Sequence, residues 1–493
     1  MRRGTDASSL SGWAAFVGPL ALYVATLSPG VAFWDTGEME TVPYLLGIPH
    51  PTGFPLFVLG GWLFSHVFAI GAPAWRLSLF SALASAGSAW LLWSLVRSIT
   101  GSALTGLFAA FAFAAGDTVW TRAVRAEVHD LALFCSALAL VAADRAGRTG
   151  SSRALLLAAL ACGLGLATHP ITAFAVPCVL ILAWPALRKA SIADGVRALA
   201  AALAPLVLYA YFLLRSGYIA AHRLDPNDDL GLSGSALFDD GSPSSWPAFW
   251  RYVTGAAFHP SASLPRIVSP DGLRRALALW HDVALREFSF DMLALAAIGL
   301  VYLLLRERRL GAGLALVLVA SVAFAANYRV ETDSNRYALP GLWTLVACAA
   351  FGAHWVVSGL VGGPSRWTGP LVAAILFVAL WPNALGAFDD VRRTNAYNDA
   401  SAIGSSIAAH SPDGTLFIAT WNYATPLAYD DYIEHSFGSR RLITGWPPDY
   451  AVYFPLWRER FKHVYFVVSS KYDVHKLGKT VYLQGRWQFG EVR

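Results

Sequence analysis

Residues 54–71 read FPLFVLGGWLFSHVFAIG, and how this run is placed decides how many times the chain crosses a membrane. It is one of twelve apolar blocks, at about 12–29, 54–71, 77–96, 102–116, 127–143, 153–168, 170–187, 196–214, 288–305, 309–326, 337–358 and 367–388. Most hold about 16–22 residues, enough for a helix to span a hydrocarbon core of roughly 30 Å. Short cytoplasmic loops collect Lys and Arg. The strongly basic short loops are Asp144–Arg153, Arg188–Lys189 and Arg306-Glu307-Arg308-Arg309. They fall on the side of Arg2-Arg3 only if one early block does not cross. Residues 54–71 are that block: Pro49, Pro51 and Pro55 crowd its start, Gly60-Gly61 interrupts it and His66 lies within it. The run reads as an amphipathic helix lying on the membrane surface.

The expected fold is an all-α polytopic membrane protein of about eleven transmembrane helices plus one interfacial helix, with a small C-terminal α/β domain. The domains divide at 389/390: 1–389 in the membrane, with outer loops 30–76 and 216–287, and 390–493 outside it. The N-terminal run from Trp13 to Leu27 is read as a retained first helix with a cytoplasmic N-terminus. The C-terminal region is then periplasmic or extracellular, and the segments 30–53, 117–126, 216–287 and 327–336 share its side. Within that region Ser401–His410 reads as a helix. Thr415–Thr420 (TLFIAT) and His463–Val468 (HVYFVV) read as buried strands, and Asp413-Gly414 as the turn before the first.

Composition agrees with a membrane protein. Of the 493 residues 56% are hydrophobic and 14% charged, against roughly a quarter charged in soluble domains. A net charge of +5 with no basic stripe argues against nucleic acid. Cys135, Cys162, Cys178 and Cys348 all lie in apolar blocks, with neither metal nor disulfide spacing. Phosphate-loop, dinucleotide, zinc and nucleophile-elbow motifs are absent from the sequence.

The polar residues that could carry chemistry lie at the block ends. Asp35 and Glu38 follow Trp34 just beyond the first span. A carboxylate there is partly desolvated, which makes it a better base. The alternative is a capping pair, with Asp35 as N-cap and Glu38 at the third helical position. His50-Pro51-Thr52-Gly53-Phe54-Pro55 forms a rigid turn whose His50 could meet an anion. Between 117 and 130, Arg122, Arg125, Glu127, His129 and Asp130 abut or enter a span, where ionisable groups are costly and mark a cavity or pathway unless they are a solvated loop end. His169-Pro170 stands at a helix junction. In Glu331-Thr332-Asp333-Ser334-Asn335-Arg336-Tyr337, Arg336 either grips a phosphate or snorkels to the interface.

The run from Trp34-Asp35-Thr36-Gly37-Glu38 to His50-Pro51-Thr52-Gly53-Phe54-Pro55-Leu56 resembles the signature of a bacterial membrane family related to the vertebrate endoplasmic-reticulum protein O-mannosyltransferase. That family is similar to the GT-C glycosyltransferases, multi-span enzymes that use lipid-linked sugars. Trp75-Arg76-Leu77-Ser78, Ala126-Glu127-Val128-His129 (His129 where the family has Tyr), Trp250-Arg251-Tyr252-Val253-Thr254-Gly255 and Arg336-Tyr337-Ala338-Leu339-Pro340 resemble further family elements. The resemblance covers roughly 20–345 and leaves the C-terminal domain unmatched.

The resemblance implies sugar transfer from a polyprenyl-phosphate donor to a hydroxyl of a protein, glycan or lipid acceptor, at a bacterial inner membrane. Asp35 would be the general base, and Glu38 and Glu127 would position the acceptor or tune it. Arg125 and Arg336, with His50 or His169, would neutralise the leaving phosphate. Trp34, Arg122, His129 and Tyr337 complete the expected substrate site. No obligatory cofactor is expected, although Asp35 and Glu38 could hold a divalent ion. A transporter or lipid flippase is the rival reading. Against it, the sequence shows no inverted repeat and no paired broken helices. A non-catalytic scaffold would leave the clustered charges without a purpose.

Overall fold

The computed structural model describes residues 3–492 except 233, 262–263, 329–333, 364, 366, 475–476 and 485. It is mostly helical, with one small sheet near the C-terminus. The chain divides into two compact units. One holds Met1–Leu27, Leu79–Leu208 and Phe258–Thr394, the other Ser28–Ser78, Tyr209–Ala257 and Asn395–Arg493.

The first unit is helical. Its helices approach so closely that glycine is needed at the crossings, the packing that lipid-embedded helices use in place of a hydrophobic driving force. A Cβ on Gly299 of helix Phe290–Arg306 would lie 1.8 Å from the carbonyl oxygen of Cys348, and one on Gly352 of helix Leu339–Leu360 would lie 2.0 Å from that of Leu295. Gly147 and Gly163 meet the carbonyls of Leu182 and Ala202 in the same way.

Among the described residues, four helices are long and apolar enough to cross a membrane: Pro73–Thr100, Ile192–His222, Arg308–Asn327 and Ser334–Leu360. The count is six if the bent pairs Ala103–Ala114 with Asp117–Ala123 (71°) and Pro270–Glu287 with Phe290–Arg306 (109°) are each one span. Leu10–Ala25, Pro55–Val67, Ser152–Leu166 and Val176–Leu187 are apolar but shorter. The apolar stretch Ile192–His222 is only 11% buried, so its Leu and Val side chains face outward, as a lipid environment requires and water does not.

The second unit is built on a five-stranded sheet of β1 (Leu416–Ala419), β2 (Arg441–Thr444), β3 (Val464–Ser469), β4 (Gly478–Gln484) and β5 (Trp487–Val492), in the order β2-β1-β3-β5-β4. β1 runs parallel to β2 and β3, and β5 pairs antiparallel with β3 and β4. The two strands read in the sequence are β1 and β3, and the expected helix 401–410 is Ile403–His410.

Both faces of the sheet are covered, which is why β1 is apolar throughout rather than alternating. Leu416 and Ile418 pack with Ile443, Trp457, Phe466 and Val468. Phe417 and Ala419 pack on the other face with Tyr423, Leu427, Val467 and Phe489, and there Val31, Phe33 and Val42 from near the N-terminus join them. The backbone carries this further: Ala400 N–H donates to Val31 O at 2.9 Å and Phe33 N–H to Asn398 O at 3.3 Å. The segment around Asp35 is thereby built into the same body as the sheet.

Candidate functional site

In the second unit the helix Asp35–Thr41 begins after Trp34, whose φ of 64° turns the chain sharply into it. The capping-pair reading of Asp35 and Glu38 does not hold. Trp34 is the N-cap and makes no side-chain cap hydrogen bond, Asp35 is the first helical residue and Glu38 the fourth. The Glu38 carboxylate points away from the helix start because His50 claims it. Oε1 accepts the His50 backbone N–H at 2.7 Å, and Oε2 lies 2.5 Å from His50 Nδ1. Glu38 is fully buried, and His50 is partly open.

Two features hold that turn in place. Tyr252 donates its hydroxyl proton to Pro49 O at 2.5 Å. Gly53 adopts φ 101°, and a Cβ there would strike the Phe212 ring at 2.4 Å. Tyr252 belongs to the Trp250–Gly255 motif of the sequence, so that motif braces the His50 turn. Glu40, also buried, accepts Ala32 N–H at 2.8 Å and the Ser78 hydroxyl at 3.1 Å, which ties the start of the segment to its helix.

Asp35 is half-buried, and its Oδ1 accepts the indole N–H of Trp421 at 2.9 Å. The close approach depends on Gly37: a Cβ there would stand 2.2 Å from Ala32 O and 3.0 Å from Thr425 Oγ1 on the helix Trp421–Tyr432. The His50 ring meets the Trp421 ring edge-on, at 6.0 Å and 85°. Trp34, 48% exposed, stands at the rim.

Burial alone would lower the His50 imidazolium pKa, but the neighbouring charges of Glu38, Asp35 and Asp240 outweigh it and hold it up at about 9. Burial raises Glu38, assisted by Asp35 and opposed by His50. Asp240, partly buried, is pushed up to about 7 by desolvation and by the charge of Glu38. The cluster thus carries more carboxylates than cations. One donor atom each from Asp35, Glu38 and His50 lie within 4.8 Å of one another, a set that could hold a divalent ion. Coordination through His50 Nδ1 would require it to give up its proton and its bond to Glu38.

In the first unit a second cluster forms at the start of the helix Val128–Thr149. Glu127 is its N-cap and accepts the backbone N–H of His129 at 3.3 Å. The same oxygen lies 2.6 Å from His129 Nδ1, while Arg122 reaches the other at 3.5 Å. Arg122 also donates to Asn335 Oδ1. Ser81 fixes the N-cap backbone, accepting Glu127 N–H at 2.8 Å. The His129 ring packs against His169 at 4.2 Å and against Tyr337 at 5.0 Å, and the Arg336 guanidinium lies over Tyr337 at 5.6 Å. Arg122, Arg125, Glu127 and His129 are all buried. Asp130 turns away and accepts the Ser85 hydroxyl at 3.2 Å.

Arg122, Glu127, His129, His169, Arg336 and Tyr337 are thus assembled into one group, and Asp35, Glu38 and His50 into another. Glu331, Thr332 and Asp333 lie outside the described residues. The sequence reading missed Trp421, Asp240 and Asn335. Trp421 follows a buried strand, but nothing in the sequence pairs it with Asp35, and Asp240 and Asn335 carry no signal either.

Residues 35–191 match the family model described as the protein O-mannosyl-transferase TMEM260 N-terminal domain. The protein O-mannosyl-transferase TMEM260 of Mus musculus is 30% identical over 171 residues, 34% of this chain and 24% of the mouse protein. The tmem260 protein of the same description from Dictyostelium discoideum is 27% identical over 118 residues, 24% of this chain and 14% of that protein. The chain therefore spans about a quarter or less of the curated relatives it matches. Among solved structures, ArnT from Cupriavidus metallidurans bound to undecaprenyl phosphate has a TM-score of 0.57 at 13% identity, covering 97% of this chain and 98% of that one. The mycobacterial arabinofuranosyltransferase AftD has a TM-score of 0.50 at 15% identity, covering 98% of this chain and 40% of that one. At such identities the likeness is one of fold. The resemblance read from Trp34 onward is returned by these comparisons over part of its length: over residues 35–191 the chain is similar to the N-terminal domain of protein O-mannosyl-transferase TMEM260, within a multi-pass membrane fold similar to that of ArnT.

Proposed function

We propose that the protein transfers a sugar from a polyprenyl-phosphate donor to an acceptor hydroxyl, with Asp35 as general base. The observation that carries this reading is the half-open Asp35 carboxylate, held by Trp421 beside the Glu38–His50 pair, at the start of the segment that matches the O-mannosyl-transferase domain. The acceptor oxygen gives its proton to Asp35 and attacks the anomeric carbon. The bond from that carbon to the lipid phosphate breaks with inversion, and the phosphate leaves with the lipid. A well-placed base supplies about 10²–10⁴-fold.

The charge that develops on the leaving phosphate needs cations. Arg122, Arg125 and Arg336, with His169 and Tyr337, are assigned to it. Glu127, itself held by His129, keeps Arg122 in place. Glu38 and His50 keep a fixed charge beside Asp35. The likeness to ArnT, whose structure holds undecaprenyl phosphate, supports a polyprenyl donor. The mannosyl-transferase names support a hexose. A divalent ion held by Asp35, Glu38 and His50 would act as a Lewis acid on an oxygen; the arginines make it dispensable.

The membrane arrangement belongs to the same proposal. It has eleven spans, an interfacial helix at Pro55–Val67 with exposed Leu63 and Val67, and the C-terminal sheet on the outer side of a bacterial inner membrane.

The test is the purified protein in lipid nanodiscs, supplied with polyprenyl-phosphate hexoses and a mixture of protein and glycan acceptors. Appearance of a glycosylated acceptor together with free polyprenyl phosphate supports the reading. Movement of the intact lipid-linked sugar between leaflets of proteoliposomes, with no product, replaces it with a flippase.

A further inference from the structure

We propose that Trp421 is a positioning residue for Asp35, so that the C-terminal sheet takes part in the transfer step; this rests on Asp35 being the base. The topology explains why this position was available. β1 lies between β2 and β3 in a parallel trio, and the chain leaves β1 toward β2 but leaves β3 the other way, toward β4 and β5. Chain connections therefore diverge at the carboxyl ends of β1 and β3, the place where open α/β sheets take their ligands. Trp421 is the second residue beyond β1.

The loop carrying it is anchored from both neighbours. Thr420 N–H donates to Val467 O on β3 at 3.0 Å, and Gly445 N–H beyond β2 donates to Ala419 O at 2.8 Å. The helix that Trp421 begins buries Ala424, Leu427 and Ala428 against the sheet. The indole is thus offered from a rigid base. Its single donor goes to Asp35, whereas the other two carboxylates of the helix Asp35–Thr41 are fully buried and bonded to groups near them in sequence or to Ser78. A hydrogen bond to one carboxylate oxygen fixes the plane of the group and so the direction in which it accepts a proton.

Trp421→Phe keeps the ring that meets His50 and removes only the donor. The experiment measures kcat and both KM values for the full-length protein in nanodiscs, with thermal unfolding alongside. The result expected is a kcat lowered about tenfold, donor and acceptor KM within twofold of wild type, and an unchanged unfolding midpoint. Trp421→His, which restores a ring N–H, recovers part of that loss; should the Phe variant fail to fold, the His variant alone is compared with wild type, and a kcat equal to that of wild type with an altered KM overturns the proposal. A wild-type kcat in Trp421→Phe overturns it too, as does a raised KM with kcat unchanged, which makes Trp421 an acceptor contact instead. Asp35→Asn is run beside them. If that variant transfers at the wild-type rate, the base assignment itself falls, whatever Trp421→Phe does.

Discussion

His50 closes on both oxygens of one buried carboxylate: its backbone N–H donates to Glu38 Oε1 at 2.7 Å and its Nδ1 lies 2.5 Å from Oε2. The pair joins a rigid turn to the helix that begins with Asp35. Any change that breaks it leaves a charge without its partner inside the protein.

The pair makes stability depend on pH. His50 is held at about 9 in the folded chain against an ordinary 6.5. Between those values the folded state keeps a proton that the unfolded state has lost. Its contribution is therefore complete below 6.5 and disappears as pH rises through 9. It amounts to about 1–3 kcal/mol, discounted because the imidazole is partly exposed. Thermal unfolding of wild type between pH 6.5 and 9.5 should show the decline, and His50→Gln should flatten it. A wild-type midpoint that stays level across this range would contradict the assignment.

Gly37→Ala should damage the site through packing. The new Cβ would meet Ala32 O and Thr425 Oγ1 and push the helix Asp35–Thr41 from the helix Trp421–Tyr432. Overpacking of this kind costs about 1–3 kcal/mol or more. Gly217→Ala is the control: nothing lies within 4 Å of its Cβ and it sits inside a helix, so stability should hold or rise by about 0.5–1 kcal/mol. The unfolding midpoint should fall in Gly37→Ala and hold or rise in Gly217→Ala.

Arg336 is assigned to the donor phosphate. Arg336→Gln should raise the KM for the lipid-linked sugar at least tenfold and lower kcat, because charge on the leaving group is left unneutralised. Arg336→Lys should keep the charge but lose the planar fork, giving an intermediate KM. Kinetics with the donor varied decide it; equal KM for all three forms would remove Arg336 from the phosphate.

Chelation separates the two roles open to the Asp35–Glu38–His50 set. If arginines neutralise the leaving phosphate as proposed, transfer should survive EDTA at neutral pH. Added divalent ion should bind more tightly at pH 9.5 than at 7, since His50 must first lose its proton. Calorimetry at the two pH values measures the second. Loss of transfer in EDTA, restored by a divalent ion, would make the metal part of the reaction.

How much of this was readable beforehand follows from sequence distance. Asp35, Glu38 and His50 lie within 16 residues of one another and carry the family pattern, so their grouping could be anticipated. The capping pair misled because Ser/Asp-x-x-Glu spacing is local, whereas Glu38 answers to a residue twelve positions on. β1 and β3 were legible as unbroken apolar runs, since a parallel strand covered on both faces has no alternation to disguise it. β2 has only two apolar residues, Leu442 and Ile443, between Arg441 and Thr444, and β4 and β5 carry Gly, Lys and Gln among their apolar positions. Trp421 was beyond reach because only the sheet topology delivers it to Asp35, 386 residues away. Asn335 likewise reaches Arg122 across 213 residues.

The most direct test of the central claim is transfer by Asp35→Asn, which keeps the shape of the side chain and an acceptor for the Trp421 N–H while removing the base. Wild type and variant, matched for folded protein by thermal unfolding, are supplied with a polyprenyl-phosphate hexose and the acceptor it serves. Wild type should give product, and the rate should be lowered by about 10²–10⁴-fold in the variant. Equal rates from the two would contradict it and pass the role of base to Glu38 or Glu127.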